Sequence, residues 1–283
     1  MTDYNTIEIQ PDRPFNLNKT LECGQAFRWN YIDDWWYGVV RDRVIKIRQE
    51  EQILEFELVD NSFVSDYFQL DFDLSRVVST INHDPHIDHA IQMNNGLRIV
   101  RQDPWECLLA QLCVTKYRKK DPNDQLSRIA SRLGKRISFE GRPFFTLPTQ
   151  EILVESGLPV LKECNLGYHA NNILAAAEII QTKKDWEREI SDLPYTEAHR
   201  ELEKIKGIKS SVADWILLFG FHKYEAFPVD AHIRAKFRKL YLSDYHIHHT
   251  DMRKLDEIIK IEAEKRFGKY AGYAFEYLLN TKE

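Results

Sequence analysis

The chain has 283 residues, 39 Lys+Arg against 44 Asp+Glu, and is 43% hydrophobic, 29% charged and 12% aromatic. This is a globular composition, long enough for one large or two modest domains, and it excludes a collagen-like or disordered chain. No uncharged apolar run approaches the roughly 18 residues of a membrane span, and the start MTDYNTIEIQPDRP has neither the basic nor the apolar stretch of a secretory leader. Cys23, Cys107, Cys113 and Cys164 contain no CxxC pair, so neither a disulfide framework nor a zinc ribbon is expected. A reducing compartment fits best: cytoplasm or nucleoid, or the nucleus if eukaryotic, with no secretion and no membrane partner.

Charge is unevenly spread. Residues 1–97 hold 8 Lys+Arg against 17 Asp+Glu, whereas residues 98–140 hold 10 against 5. Local basic clusters therefore bear more on a nucleic-acid partner than the net charge of -5 does. Ordinary surface scatter would produce the same distribution.

In chain order, residues 26–29, 35–40, 44–48 and 53–58 read as strands, rich in aromatic and β-branched residues. Asp33-Asp34, Arg41-Asp42-Arg43 and Glu50-Glu51 separate them as turns. The expectation is an antiparallel meander with one buried face. After Asn61 the period becomes helical, with one helix around Phe63, Tyr67 and Phe68 and another over 81–93. Further helices are expected over 104–115, 125–133, 150–156, 170–181, 197–205, 210–221, 231–241 and 251–267, the last continuing to 279. The fold class is α+β: an acidic N-terminal antiparallel sheet domain, residues 1–96, followed by a mostly α-helical domain, residues 97–283.

Residues 202–221, LEKIKGIKSSVADWILLFGF, read as two helices joined by a short turn. The first ends at Lys206, and Gly207 takes the left-handed position beyond its end. Ile208 plugs the apolar side. Ser210 caps the second helix, whose apolar face carries Val212, Ala213, Ile216 and Leu217. Free N–H groups and the helix dipole at that N-terminus make a docking point for one phosphate, flanked by Lys206 and Lys209. Such hairpins are also common structural units, so both readings stand. Downstream, Ala226-Phe227-Pro228-Val229-Asp230-Ala231-His232-Ile233 puts Asp230 at the start of a helix. Asp230 is either an N-cap or a partly buried carboxylate kept ionised by backbone N–H groups.

The two segments together resemble the helix-hairpin-helix DNA glycosylase superfamily. Its members share a lysine- and glycine-bearing hairpin followed by Pro-Val-Asp-x-His with a catalytic aspartate. Three more segments resemble the 8-oxoguanine DNA glycosylase branch: GQAFRW at 24–29 its GQxFRW motif, RQDPWECL at 101–108 its segment of that sequence, and LGYHA at 166–170 its LGYRA. The resemblance runs from residue 24 to 279. It implies a monomer acting on double-stranded DNA that holds a damaged base. The base leaves the stack at a cost of about a few kcal/mol and enters a pocket between the domains. The glycosidic bond then breaks with oxocarbenium character, which Asp230 stabilises, or for which it activates the nucleophile. The implied DNA contacts are Lys206, Gly207, Lys209, Ser210, Tyr168, His169 and His232, with Gly24 at the base pocket. No cofactor and no metal site among side chains is implied, and the cysteines do not match the four-cysteine pattern of iron–sulfur glycosylases. A monovalent or divalent cation at hairpin carbonyls belongs to the same resemblance.

Three departures follow. The family's Schiff-base lysine stands nineteen residues before the aspartate, where this chain has Ser211. Serine cannot form an imine, so attack by water, positioned by Asp230 and Ser211, is expected without lyase activity. Lys209 replaces the hairpin's second glycine and is read as a phosphate contact, or as a displaced catalytic lysine. In Val114-Thr115-Lys116-Tyr117-Arg118-Lys119, Lys116 aligns with an asparagine that contacts the orphaned base, and Tyr117 and Arg118 could wedge the gap. The alternatives are that Lys116 is the displaced lysine, or that the segment only touches phosphates. Finally, Phe275 stands where the family's glutamine reads the Watson–Crick edge, Leu279 replaces an aromatic residue, and Trp215 a small stacking one. Phenylalanine cannot make the amide's hydrogen bonds. An electron-poor alkylated purine stacked on Trp215 and Phe275 is then expected in place of 8-oxoguanine, unless both rings are simply core. Three functions remain: a monofunctional glycosylase, a bifunctional glycosylase/lyase using Lys116 or Lys209, and a non-catalytic binder of damaged DNA.

Overall fold

A computed structural model describes residues 4–113, 122–243 and 251–281. Lys116, Tyr117 and Arg118 lie outside these residues. Five antiparallel strands, β1 (Asn5–Glu8), β2 (Asn30–Ile32), β3 (Trp35–Val40), β4 (Arg43–Glu50) and β5 (Ile53–Glu57), form one sheet in the order β1-β5-β4-β3-β2. The acidic and basic turn residues Asp33, Asp34, Arg41 and Glu51 take φ of 50°, 65°, 55° and 53°, the left-handed conformation that tight hairpins between twisted strands demand.

One expected strand does not form, and one strand forms that no local pattern marks. Residues 26–29 are not a strand, because Gln25 and Arg28 bond to the 98–102 segment and to Asn123. Gln25 donates to Arg98 O at 2.8 Å and accepts from Val100 N at 2.8 Å, and Arg28 N donates to Asn123 Oδ1 at 2.8 Å. The short polar strand β1 carries no alternation, and its pairing with β5 (Ile7 opposite Leu54) forms it.

The sheet is covered on both faces, not one. Helices α1 (Leu17–Glu22) and α2 (Asn61–Tyr67) bury Ile45, Ile47, Leu54 and Phe56 against Leu17, Leu21, Val64 and Phe68. Across the other face lies a second hairpin, β6 (Arg136–Phe139) and β7 (Arg142–Phe145). Tyr37 stacks on Phe144 with centroids 6.1 Å apart, and Lys46 bridges Glu57 at 3.0 Å and Glu140 at 2.6 Å.

The helical part comprises α3 (Leu74–Ile81), α4 (Pro85–Met93), α5 (Pro104–Cys113), α6 (Pro122–Leu133), α7 (Gln150–Glu163), α8 (His169–Gln181), α9 (Trp186–Asp192), α10 (Tyr195–Glu203), α11 (Ser210–Gly220), α12 (Ala231–Tyr241), α13 (Met252–Phe267) and α14 (Ala271–Leu279). The helix expected over 81–93 is two. Asp84 caps α4 by accepting from His86 N and Ile87 N, with Pro85 at its first turn. Helix α7 runs past residue 156 through a kink at Gly157 (φ 69°). The expected run from 251 to 279 breaks at Gly268 (φ 56°) into a 3-10 turn. Side chains of α3 and α4 (Val77, Ile81, Ile87, Ala90) pack into the same core as α5, α11 and α14.

The 98–102 segment joins sheet and helices. Arg98 is fully buried, its guanidinium donating to Gln69 O at 2.6 Å, Phe72 O at 2.8 Å and Pro14 O at 3.2 Å. Between β3, α5 and α6 lies a cavity of about 30 Å³, room for one water, lined in part by Arg28, Tyr67, Asp103 and Glu106. Burial, reinforced by Asp103, pushes Glu106 up to about 8.

Two outcomes follow. A Cβ at Gly38 would stand 2.5 Å from ring atoms of Trp29, so Gly38→Ala should destabilise by about 1–3 kcal/mol in urea denaturation. Glu106 has a folded pKa above its unfolded value, so its stabilising contribution is complete below about 4.5 and is lost as pH rises through about 8. Glu106→Gln should therefore gain melting temperature relative to wild type as pH is raised from roughly 5 to 8.

Candidate active site

The hairpin closes as its residues dictate, with shifted ends. Helix α10 ends at Glu203 and Ile208 N donates to Ile205 O at 3.1 Å. Gly207 takes φ 97°, and a Cβ there would meet the Asn172 side chain of α8 at 2.8 Å. Conformation and close approach both demand glycine. Lys206 and Lys209 are exposed. Lys209, not Ser210, occupies the cap position of α11 and makes no side-chain capping bond. The Ser210 hydroxyl is taken from another direction, accepting from Lys260 Nζ at 2.8 Å.

That lysine belongs to a cluster which residue spacing did not reveal. Asp214, one turn into α11, is fully buried. It accepts from Tyr195 Oη at 2.6 Å, lies 3.3 Å from His199 Nε2, and is ion-paired with Lys260 of α13. Burial alone would lower the His199 pKa, but its bond to Asp214 raises it above the usual imidazole value. Burial and Asp214 together raise Tyr195, keeping it a donor. A buried carboxylate needs such partners, and they fix the first turn of α11 against α10 and α13.

Asp230 is the N-cap of α12, its Oδ1 accepting from His232 N at 2.9 Å and Ile233 N at 2.8 Å. It is exposed rather than partly buried, because the apolar residues before it (Phe227, Pro228, Val229) turn inward and leave the cap at the surface. The two readings of this residue are compatible: the cap orients a carboxylate that faces outward, and Oδ2 takes no hydrogen bond among the described residues. His232 follows, also exposed.

A chain of rings links Asp230 to the hairpin. Phe227, three residues before Asp230, meets Phe275 at 5.7 Å, and Phe275 meets Trp215 edge-on at 5.8 Å. Trp215 lies one turn beyond Ser211 on α11, so both sit on one face of that helix. Ser211, Trp215 and Leu279 are half-buried and Phe275 fully buried. Phe275 is thus the wall behind Trp215 and not an open lining. Gly24 is exposed with φ 86°, and nothing lies within 4 Å of where its Cβ would stand.

Tyr168, at the N-terminus of α8, is 66% exposed and rests on His169 at 4.0 Å, a flat ring free on its outer side. His169 itself is buried, and burial lowers its pKa. Among the described residues no group of His, Cys, Asp and Glu could hold a metal ion, and no helix is long and apolar enough to cross a membrane.

Comparison with known proteins agrees with this geometry. The family model for the 8-oxoguanine DNA glycosylase N-terminal domain matches residues 7–108. A protein of Methanothermobacter thermautotrophicus named "Probable N-glycosylase/DNA lyase" is 29% identical, covering 95% of this chain and 94% of its own length. The Clostridium acetobutylicum 8-oxoguanine glycosylase/lyase, solved with duplex DNA containing cytosine opposite the lesion, superposes with a TM-score of 0.87 at 26% identity, covering 99% of this chain and 94% of that one. A 3-methyladenine DNA-glycosylase from Archaeoglobus fulgidus shares the fold, with a TM-score of 0.75 at 19% identity over 97% of this chain and 96% of that one. Sheet, hairpin and Asp230 segment thus resemble those of the helix-hairpin-helix DNA glycosylase superfamily, and the chain is similar throughout its length to the 8-oxoguanine glycosylase branch.

Proposed function

We propose that the chain excises a damaged base from double-stranded DNA in base excision repair by hydrolysing the glycosidic bond, and that it does so without a lyase step. The observation that carries this reading is the pairing of an oriented, exposed Asp230 with a serine at residue 211. The base leaves with the electron pair of the C1′–N bond. The Asp230 carboxylate stabilises the resulting positive charge at the sugar. Water then adds to C1′ and gives up its proton to Asp230, with the Ser211 hydroxyl positioned to hold that water. The N-terminus of α11, with Lys206, Gly207, Lys209 and Ser210, holds a backbone phosphate. Tyr168 is a flat side chain suited to the stack near the lesion, supported from beneath by the buried His169, with His232 beside the backbone. Lys116, Tyr117 and Arg118, outside the described residues, complete the proposed contact. The base pocket lies between the sheet unit, residues 1–96, and the helical unit, residues 97–283, lined by Gly24, Trp215 and Leu279, with Phe275 as the wall behind Trp215. No cofactor is required. A monovalent or divalent cation on the hairpin carbonyls would strengthen the phosphate contact. The chain acts as a monomer in the compartment that holds DNA.

Relatives of this chain are named glycosylase/lyases, so a displaced lysine is the reading to test against. Lys209 and Lys116 are its candidates, and Lys260 also reaches the α11 N-terminus, though it is engaged by Asp214 and Ser210.

Three outcomes are expected. Asp230→Asn should lower single-turnover base release by about 10²-fold or more while affinity for a duplex with a tetrahydrofuran abasic analogue stays unchanged. Strand cleavage should appear only after hot alkali, and borohydride should trap no covalent adduct. Ser211→Lys should restore trapping. Trapping of the wild type would establish the displaced-lysine reading, and tight duplex binding without base release would establish the non-catalytic one.

A further inference from the structure

Helix α14 carries a carboxyl group that the reaction above does not use. Glu276 is fully buried. Its Oε1 accepts from Asn280 Nδ2 at 3.1 Å, the Cys23 thiol lies against the same group, and Oε2 has no hydrogen-bond partner among the described residues. Among the described residues no cation offsets it. Burial pushes it up to about 7, so near neutral pH it stands between acid and carboxylate. A buried carboxyl group lacking both a counter-charge and a full set of hydrogen bonds is costly unless a ligand supplies what is missing.

Its neighbours locate it. Phe275 precedes it on α14 and meets Trp215 edge-on at 5.8 Å. Cys23, which touches it, precedes Gly24, the exposed residue beside open space. The indole Nε1 of Trp215 is a second buried polar atom without a partner among the described residues. An unpartnered acceptor thus stands next in the chain to Phe275, and an unpartnered donor on the ring that Phe275 packs against.

We infer that Glu276 reads the flipped base, and that the base it favours is a purine carrying a positive charge, such as one alkylated on a ring nitrogen. This deepens the excision reading above and rests on it. The base's positive charge supplies the counter-charge that the Glu276 carboxylate lacks among the described residues. The Trp215 ring attracts a stacked cation through its face. When the C1′–N bond breaks, its electron pair stays on the base and neutralises that charge, so a cationic purine leaves without needing a proton. A neutral lesion such as 8-oxoguanine or hypoxanthine gains a hydrogen bond from Glu276 but no ion pair, and charge-assisted bonds are the stronger ones.

Duplexes with a single 7-methylguanine, 8-oxoguanine or hypoxanthine provide the test, with rates corrected for spontaneous loss. Wild type should release 7-methylguanine fastest. Glu276→Gln should slow that release by roughly tenfold or more, leave release of the neutral bases within about twofold, and leave affinity for the base-free tetrahydrofuran duplex unchanged. Equal release of 7-methylguanine by wild type and Glu276→Gln, with that affinity intact, overturns the inference while excision stands. Release of no base by wild type overturns the excision reading and the inference with it. If Glu276→Gln no longer binds the tetrahydrofuran duplex, wild-type selectivity decides: a preference of about tenfold or more for 7-methylguanine supports the inference, and equal or faster release of a neutral lesion overturns it.

Discussion

A single carboxylate holds the hairpin region together. Asp214 is buried completely at the start of α11, and an unpaired buried charge is among the most expensive defects a fold can carry. It is satisfied only when α10 brings Tyr195 and His199, and α13 brings Lys260, to the same point. The consecutive helices α10 and α11 and the more distant α13 are thereby fixed around one N-terminus. The apolar positions of α11 alone would leave that helix free to slide or rotate. The polar cluster gives it one register.

The proposed chemistry draws on this arrangement from the other face of α11. Ser211 and Trp215 are held in place because their neighbours Ser210 and Asp214 are anchored behind them. The ring contacts from Trp215 through Phe275 to Phe227 carry that placement to the segment ending in Asp230. Asp230 is then oriented by the two N–H groups of its own helix, so a capping interaction aims an outward-facing carboxylate. Local helix chemistry and the proposed catalysis use the same two hydrogen bonds.

The join between sheet and helices depends on main-chain carbonyls. Arg98 spends its guanidinium on Gln69, Phe72 and Pro14, and Gln25 spends its amide on Arg98 and Val100. These bonds set the Gly24 loop, and the Cys23 thiol beside it, against α14. The base pocket proposed at this join would take its lining from residues 24, 215 and 279, backed by Phe275, which no short motif groups together.

Much of the fold was legible in the residues themselves. Alternating aromatic and β-branched residues located β3, β4 and β5, turn residues marked their hairpins, and the Gly207 and Pro228-Val229-Asp230 segments marked the hairpin and the capped helix, because each depends on local backbone sterics or hydrogen bonding. What local rules could not reach were elements formed by distant partners: β1, which exists only by pairing with β5; residues 26–29, drawn off the sheet by hydrogen bonds to 98–102 and Asn123; and the second cover on the sheet, supplied by β6 and β7. The same holds for the site. Asp230, Ser211 and Lys209 stood out by spacing. Asp214, an ordinary polar residue on a helix, and Glu276, an acid inside an apolar run, acquired their significance only when tertiary packing removed water from them and decided which partners remained. The sequence by itself determined the elements and the chemistry available at each residue. Tertiary structure alone decided which charges are buried, because burial depends on residues that meet only after the chain has closed.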